Sequence, residues 1–564
     1  MQRENDRPNK SLENQGDAGI KTSEDKSSQN AHKKVRSLGG TYPGHPGPRL
    51  PDTLAYLYTP ILPLLKGINI RRRKAFHPNP QDVLVPPGYT VEVAAYGFNA
   101  PDHCAFDEQG NCYVIESGHK ITQPPRILKV DVRTGDFSTF YQFPDSRWHL
   151  TGAVTGACWH QGYLYVMNTD TLSRIDKEGN IEDIVTGLPG MGDHQANYPI
   201  VGPDGKIYFG VGCATNCGVV GADNGAFEWL AKHPEFHDVP GADIRLAGRN
   251  YPYRNVLGKI TETVESGAYS PFGTPSFAGQ VVPGNVKCGG SILRCNPDGS
   301  DLEIVAWGLR NPYGSAFHPD GRLFATEHGM DERGRRYVIG DPDDFYEIHP
   351  GEWYGWPDFA SGIRLDDGYW GSGGQGREPV LAEFPNSNPP RPIVSFQTHA
   401  AANGMDFSRS EEFGFAGQAF VALFGDLAPI TTVRYAAGPA GFKVVRVDPA
   451  TGEVHDFAVN RIAGPASLLP HHGFERPSHC QFGPDGALYV VDFGNVDIAV
   501  EKGGIRMKEN TGVLWRIRRT GAVHGELPPK SLSLPFYLIR LLGTIFAIAG
   551  VGIGIRALLR KLTK

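Results

Sequence analysis

A sixfold internal repeat between Tyr89 and Arg519 is the feature that most constrains how this chain folds. Each copy reads as an apolar strand, a tight turn, a second apolar strand, a loop and a third apolar strand that ends in another turn. The turns are rich in Asp-Gly pairs, which suit the positive φ angles of tight hairpins. The first halves of the copies are HCAFDEQGNCYVIESG, TGACWHQGYLYVMNTD, YPIVGPDGKIYFGVG, YGSAFHPDGRLFATEHG, the more diverged GMDFSRSEEFGFAGQAFVALFG, and SHCQFGPDGALYVVDFG. The sequence therefore predicts short antiparallel strands, about four to each copy.

A single sheet of this kind cannot bury both of its faces. Six such sheets packed radially around an axis cover one another and leave only short, protected edges. We therefore predict an all-β fold, a six-bladed β-propeller over residues 85–519, with an insertion at about 213–289 in the third copy. Functional groups are then expected on residues that break the repeat, where the blades converge at one end of the central channel.

Composition excludes some classes of protein. The 564 residues carry a formal net charge of -6, which argues against a nucleic-acid binder. The chain has eight cysteines but no CxxC pair, so neither a zinc ribbon nor a c-type haem site is indicated. Cys213 and Cys217 form the one closely spaced pair, and the sequence leaves open whether they form a disulfide.

The two ends of the chain differ from the repeat. Residues 1–52 are polar and predict a disordered tail, and residues 53–84 predict an apolar and basic docking segment, with a spanning helix over Thr53 to Ile70 as the alternative. After a linker at 520–533, residues 534–556 predict a single transmembrane helix, with a helix packed on the globular body as the alternative. The basic residues that follow favour a cytoplasmic end and an extracytoplasmic propeller. No secretory signal is recognisable, so the membrane side stays open.

Three stretches break the repeat where the channel mouth is expected. Gly192-Asp193-His194-Gln195 places an imidazole beside a carboxylate, which is the composition of a general base with an orienting partner. Arg310-Asn311 brings a planar donor fork suited to carboxylates and developing oxyanions. The loop Glu327–Gly334 has acids and exposed carbonyls that suit a hard cation such as Ca²⁺. The alternatives are an ordinary loop histidine, a structural arginine between blades, and a solvated acidic loop.

The segments GLRNPYGSAFHPDGRLFATEHGMDERG, DDFYEIHPGEWYGWP and PSHCQFGPDGALYVVDFG, with DHQ ahead of the third copy, carry a resemblance. They resemble the glucose/sorbosone dehydrogenase family over most of residues 85–519. The resemblance implies a six-bladed quinoprotein propeller that binds pyrroloquinoline quinone (PQQ) and Ca²⁺ and oxidises sugars.

The resemblance also implies roles for individual residues. His194 would be the general base, with Asp193 beside it, and Arg310 would stabilise negative charge that develops on the quinone. The cofactor would be contacted by Asn311 and Gln195. The metal ligands would be Gly329 and Met330 through their carbonyls, together with Asp331.

The sequence departs from the family pattern at two places. Family members active on glucose have an acidic residue where this chain has Gly212-Cys213. They also use a lysine and arginines of the fifth blade to hold the PQQ carboxylates, whereas the entry to that blade here, THAAANGMDF, has no lysine. Lys443 and Arg446 are the candidates to take over this cofactor-binding role.

The sequence therefore predicts a membrane-anchored, PQQ-type oxidoreductase that oxidises a sugar or other alcohol by hydride transfer to a quinone. The alternatives are a Ca²⁺-dependent propeller lactonase and a non-catalytic propeller that binds carbohydrate or protein at the membrane. The substrate, the electron acceptor and the oligomeric state stay open.

Overall fold

The structure is a computed structural model that describes residues 77–119, 123–145, 152–370, 377–427, 439–468, 472–499 and 504–521. The predicted tail at 1–52, most of the docking segment at 53–84, nearly all of the linker at 520–533 and the predicted transmembrane helix at 534–556 lie outside these residues. Among the described residues, no helix is both long and apolar enough to cross a membrane.

Two strands precede the first complete blade. They follow a short 3₁₀ helix, and the three elements are Pro80–Asp82, β1 (Val83–Leu84) and β2 (Tyr89–Phe98). Blades one and two are then each formed by four consecutive antiparallel strands. These strands are β3 (Pro101–Phe106), β4 (Cys112–Glu116), β5 (Arg126–Val130), β6 (Phe137–Gln142), β7 (Val154–His160), β8 (Tyr163–Asn168), β9 (Thr171–Ile175) and β10 (Ile181–Val185).

Blade three is interrupted by the predicted insertion, which folds into a 3₁₀ helix, one short α-helix and two small antiparallel sheets of two strands each. In chain order the elements are β11 (Ala196–Val201), β12 (Ile207–Val211), the 3₁₀ helix Ala222–Phe227, α1 (Trp229–Lys232), β13 (Ile244–Ala247), β14 (Asn250–Arg254), β15 (Thr263–Gly267), β16 (Ala278–Val282), β17 (Ser291–Cys295) and β18 (Glu303–Trp307).

Blade four has a shorter insertion before its outermost strand. Its elements are β19 (Pro312–Phe317), β20 (Leu323–Glu327), β21 (Asp344–Ile348), β22 (Phe359–Ala360), β23 (Ile363–Arg364), the 3₁₀ helix Gly368–Trp370 and β24 (Val394–Ser395). Blades five and six complete the chain. Their elements are β25 (Ala402–Phe407), β26 (Ala419–Leu423), β27 (Lys443–Asp448), β28 (Glu453–Asn460), the 3₁₀ helix Ala466–Leu468, β29 (Pro477–Phe482), β30 (Leu488–Asp492), β31 (Val496–Ala499), β32 (Gly504–Met507) and β33 (Gly512–Arg519).

The innermost strands of the six sheets contact one another in a closed ring, in the order β3, β7, β11, β19, β25, β29 and back to β3. This ring confirms the six-bladed propeller. Apolar residues on alternate positions fill the space between neighbouring blades, as Val114 and Leu128 of blade one do against Tyr489 and Leu514 of blade six. On the innermost strands β3 and β29, the rings of His103 and His479 stack with their centroids 3.7 Å apart.

The prediction that every copy supplies its own four strands is wrong for the sixth copy. That copy supplies β29, β30 and β33, and the outermost strand of its sheet is β2, which pairs with β33 from Tyr89↔Arg519 to Phe98↔Gly512. Hydrogen bonds between the two ends of the repeat region thus join its first segment to its last. Strand β1 similarly adds a fifth strand to blade five.

Candidate functional site

The three stretches that break the repeat lie at the same end of the channel. His194 and Gln195 precede β11, whose first residue pairs with Val211, the last residue of β12. Arg310 and Asn311 precede β19 in the same way, and the loop that begins at His328 follows β20. Because adjacent strands are antiparallel, the start of the first strand and the end of the second lie at one edge of each blade.

His194 is half-buried and is held by a backbone carbonyl. Its Nδ1 lies 2.8 Å from the oxygen of Cys213. A carbonyl can only accept, so Nδ1 carries the proton and the lone pair of the neutral ring is on Nε2. Burial lowers the pKa of His194 well below its usual value, and the charges of Arg310 and Arg333 lower it further. The ring is therefore neutral, with Nε2 able to accept a proton.

At Gly212-Cys213 the sequence departs from the family pattern, and close packing explains why residue 212 is a glycine. A Cβ added at Gly212 would overlap Cβ of His194 and lie 2.7 Å from Oδ1 of Asn311. The thiol of Cys213 instead approaches the carbonyl of Leu309, at 3.5 Å. This strand end therefore orients His194 through a neutral backbone group.

Asp193 does not orient His194. Its carboxylate is fully buried and accepts hydrogen bonds from Nδ2 of Asn224 at 2.9 Å and from Nε1 of Trp229 at 2.7 Å. It also pairs with Arg333, at 2.6 Å. Asn224 and Trp229 belong to the blade-three insertion, so Asp193 fixes that insertion to the loop that carries His194.

Arg310 is 3% exposed, and the protein already engages most of its donors. Its Nη2 donates to Oδ1 of Asn216 at 2.9 Å and to Oδ2 of Asp331 at 3.1 Å, and its Nη1 donates to the carbonyl of His328 at 3.2 Å. The backbone of Cys213 connects this residue to the histidine, because its N–H donates to the carbonyl of Arg310 at 2.8 Å while its own carbonyl accepts from His194. The structure thus brings His194 and Arg310 together.

Asp331 lies in ion pairs rather than in a metal-binding cluster. Burial alone would raise the pKa of Asp331, but Arg310 and Arg333 outweigh it and lower that pKa to about 2. Within the described ranges, no group of three or more His, Cys, Asp or Glu side chains is arranged to hold a metal ion. The predicted ligands Gly329 and Met330 donate their backbone N–H groups to Asp343 at 3.0 Å and to Asp341 at 2.6 Å. Among the described residues, no backbone N–H group donates to the carbonyl oxygen of Gly329 or of Met330.

Asn311 belongs to a network of contacts that spans four blades. Its Oδ1 accepts from Nδ2 of Asn197 at 3.2 Å, and its Nδ2 donates to Nδ1 of His328 at 3.0 Å. Nε2 of His328 then lies 3.0 Å from Oδ1 of Asn403, to which it donates. The His328 ring also stacks on Tyr313, whose hydroxyl donates to Asp102 of blade one at 3.0 Å. These contacts fix the amide of Asn311 in one orientation.

The structure does not bring Lys443 and Arg446 to this site. Both lie on β27, the third strand of blade five. Nζ of Lys443 is 2.6 Å from Oδ1 of Asp456 on β28, and Nη1 of Arg446 donates to Oε1 of Gln418 at 2.7 Å. These contacts join β27 to β28 and to the residue that precedes β26.

Sequence reasoning missed two basic residues at the channel mouth. Arg476 directly precedes β29, the position in blade six that Asn311 takes in blade four, since Pro477 and Pro312 start the two strands and pair equivalently. It is buried between Phe424 and Phe442, and its Nε has no partner among the described residues. Nε2 of His399, at the entry to blade five, is also buried and unpaired there. Counting the repeat register from the first-strand prolines would have pointed to Arg476.

The cysteines form no disulfide. Cys213 and Cys217 are free and buried. The other six are also free, and all of them except Cys158 are buried. The close spacing of Cys213 and Cys217 in the sequence therefore does not correspond to a disulfide in this structure.

Comparison with known proteins finds a family similarity in part of the chain. Residues 278–492 match the model of the glucose / sorbosone dehydrogenase family. Quinoprotein glucose dehydrogenase B of Acinetobacter calcoaceticus is 30% identical over 211 residues, which are 37% of this chain and 33% of that protein. This chain thus matches about a third of the length of that relative.

Several solved structures are similar over a larger share of the chain. A glucose dehydrogenase-type putative oxidoreductase of Thermus thermophilus is 19% identical, with 76% of this chain and 99% of that chain covered and a TM-score of 0.43. The PQQ-bound aldose sugar dehydrogenase of Streptomyces coelicolor is 18% identical, with 77% and 100% covered and a TM-score of 0.42. The PQQ domain of pyranose dehydrogenase from Coprinopsis cinerea, in its holo form, is 16% identical, with 79% and 98% covered and a TM-score of 0.46.

The residues that match the family model run from the start of β16 to the end of β30 and contain Arg310, Asn311 and Arg476, whereas His194 precedes them. The predicted resemblance to the glucose/sorbosone dehydrogenase family is therefore confirmed, and residues 278–492 are the part of this chain that matches the family model.

Proposed function

We propose that this chain is a quinone-dependent oxidoreductase that oxidises a hydroxyl group of a sugar or another alcohol, with PQQ as its cofactor and Ca²⁺ as its metal. The observation that carries this proposal is the pairing of His194 and Arg310 through the backbone of Cys213. It combines a neutral base with a buried cation at the mouth of a propeller that carries the family domain.

The residues at the channel mouth fit a polyanionic quinone. PQQ has three carboxylates, which require cationic or N–H donors. Nε of Arg476 and Nε2 of His399 are buried atoms that lack a partner among the described residues, and a buried donor normally has one. The carbonyls of Gly329 and Met330 are oxygen ligands of the kind that Ca²⁺ prefers. We propose that these donors hold the quinone together with Arg310, Asn311 and Gln195. They would take over the role of the blade-five lysine that the family pattern has and this chain lacks.

The protein's part in the reaction follows from the state of His194. Nε2 of the neutral ring takes the proton of the substrate hydroxyl, while the Cys213 carbonyl keeps the ring in the required tautomer. Arg310 stabilises negative charge that develops near its guanidinium, in a buried setting where such stabilisation is strong. PQQ, when bound, supplies the two-electron acceptor for the alcohol.

The purified chain tests this proposal. We expect PQQ with Ca²⁺ to support dye reduction by a panel of aldoses and simple alcohols. We expect His194→Gln to lower kcat by about 10²- to 10⁴-fold, the usual contribution of a general base. The exposed His77 provides the matched control, His77→Gln, which should keep full activity. A lack of quinone binding by absorbance would overturn the proposal. Lactone hydrolysis without quinone would support the lactonase instead.

Membrane anchoring through residues 534–556 is also part of this proposal. A chain that ends after Gly521 keeps the last propeller strand, which ends at Arg519. We expect the full chain in the membrane fraction and the shortened chain in the supernatant. The anchoring proposal fails when buffer alone releases the full chain as completely as the shortened one.

A further inference from the structure

Arg333 lies where three carboxylates from three separate segments meet. Its Nη1 is 2.6 Å from Oδ2 of Asp193 and 3.0 Å from Oδ2 of Asp223, and its Nε is 3.0 Å from Oδ2 of Asp331. The side chain is only 10% exposed, and its guanidinium lies 4.5 Å from the ring centroid of Phe227. A planar fork of donors suits this arrangement, which a point charge does not reproduce.

Each of the three carboxylates belongs to a different part of the candidate site. Asp193 directly precedes His194, Asp331 pairs with Arg310, and Asp223 lies in the 3₁₀ helix of the blade-three insertion. One oxygen atom, Oδ2 of Asp331, accepts from both Arg310 at 3.1 Å and Arg333 at 3.0 Å. Arg333 therefore connects the loop that carries His194, the carboxylate that pairs with Arg310 and the insertion in one buried network.

We propose that Arg333 is a positioning residue that fixes His194 relative to Arg310 and locks the blade-three insertion against both. This inference rests on the proposed function, because it assigns a role within the same site. Without Arg333, Asp331 would pair with Arg310 alone and would compensate more of the positive charge of Arg310. Asp193 would then be a fully buried carboxylate without its cation, which strongly favours movement of its loop.

The test compares Arg333→Met and Arg333→Lys with Arg335→Met, an exposed arginine of the same loop. We expect Arg333→Met to lower kcat by about ten- to a hundredfold with a smaller change in KM, as for a misplaced catalytic group. The charged groups that act on His194 are Arg310, Arg333 and Asp331, so loss of one cation raises its pKa. We therefore expect the acid limb of the pH–rate profile to move to higher pH.

Arg333→Lys keeps the positive charge but loses the planar set of N–H donors of the guanidinium group. We expect its acid limb to stay close to that of the wild type while its kcat stays reduced, a split that lost stability alone does not produce. Arg335→Met should match the wild type in both readouts. When Arg333→Met fails to fold, the kcat and the pH–rate profile of Arg333→Lys still test the inference.

The second readout needs no quinone. NMR titration of ¹³C-labelled histidines in the free protein, with His194→Gln to assign the signal, should give a higher pKa for His194 in Arg333→Met than in Arg335→Met. Equal titration of His194 in these two proteins, or a wild-type kcat in Arg333→Lys, would overturn the inference. Absence of quinone-dependent turnover in the wild type would overturn the proposed function but would leave this titration as the test of Arg333.

Discussion

Gly212→Ala tests directly whether the close packing behind His194 sets the position of the base. The new methyl group would overlap Cβ of His194 and lie 2.7 Å from Oδ1 of Asn311. Cβ of His194 is attached to the backbone, so the overlap is relieved only when the backbone of one strand end moves by about 1 Å. Overpacking of this kind costs about 1–3 kcal/mol. In a propeller of this size that corresponds to a decrease in Tm of about 1–3 °C.

The effect on catalysis should be much larger than the effect on stability. A displacement of about 1 Å in a catalytic group costs on the order of 10²-fold in rate. Quinone-dependent dye reduction would measure kcat, and differential scanning fluorimetry would measure Tm. The control is Gly368→Ala, where an added Cβ has no atom within 4 Å. A Gly212→Ala protein with kcat and Tm equal to those of this control would refute the packing argument.

Three further outcomes follow from the charges of the site and the core. Because the pKa of His194 is lowered, its neutral form should persist and the acid limb of kcat should lie below pH 6.5, as a pH–rate profile would show. Burial raises the pKa of Asp102 and of Glu475 to about 7, so both bind protons more tightly when folded. Their stabilisation is complete below about pH 4 and is lost as the pH rises through 7, so Tm should be higher at pH 5 than at pH 8. Arg476→Leu should weaken PQQ binding by about tenfold or more in a fluorescence titration, whereas the exposed Arg461→Leu should not.

The architecture could be predicted because most of it is encoded locally. Each copy of the repeat contains its own strands and turns, so the number of blades follows from the number of copies. The closing strand β2 could not be found in this way. Its segment YTVEVAAYGF has no turn that links it to a copy, and its partner β33 lies at the other end of the repeat region. Pairing over such a distance depends on ring closure, which no local pattern reveals.

The site could be predicted only in part, for a related reason. His194 and Arg310 were found because they break the repeat, and the structure brings them together. The hydrogen-bond partners of Asp193 could not be found from the sequence. One of them, Trp229, belongs to the blade-three insertion, and the repeat pattern does not describe how that insertion folds. Lys443 and Arg446 were chosen by residue type, but both lie on the third strand of blade five and pair with side chains of that blade.

The orientation of His194 by a carbonyl rather than by a carboxylate has a consequence for the proposed reaction. A carboxylate beside Nδ1 would stabilise the imidazolium that forms when His194 takes a proton, whereas the Cys213 carbonyl offers only a dipole. Arg310 and Arg333 oppose that imidazolium further. His194 is therefore a weaker base than an unperturbed imidazole, so a substrate hydroxyl made more acidic within the site would favour proton removal. On the proposed function, Arg310 and a bound quinone would meet this need, so we expect kcat to fall more on loss of the Arg310 guanidinium than on a small displacement of His194.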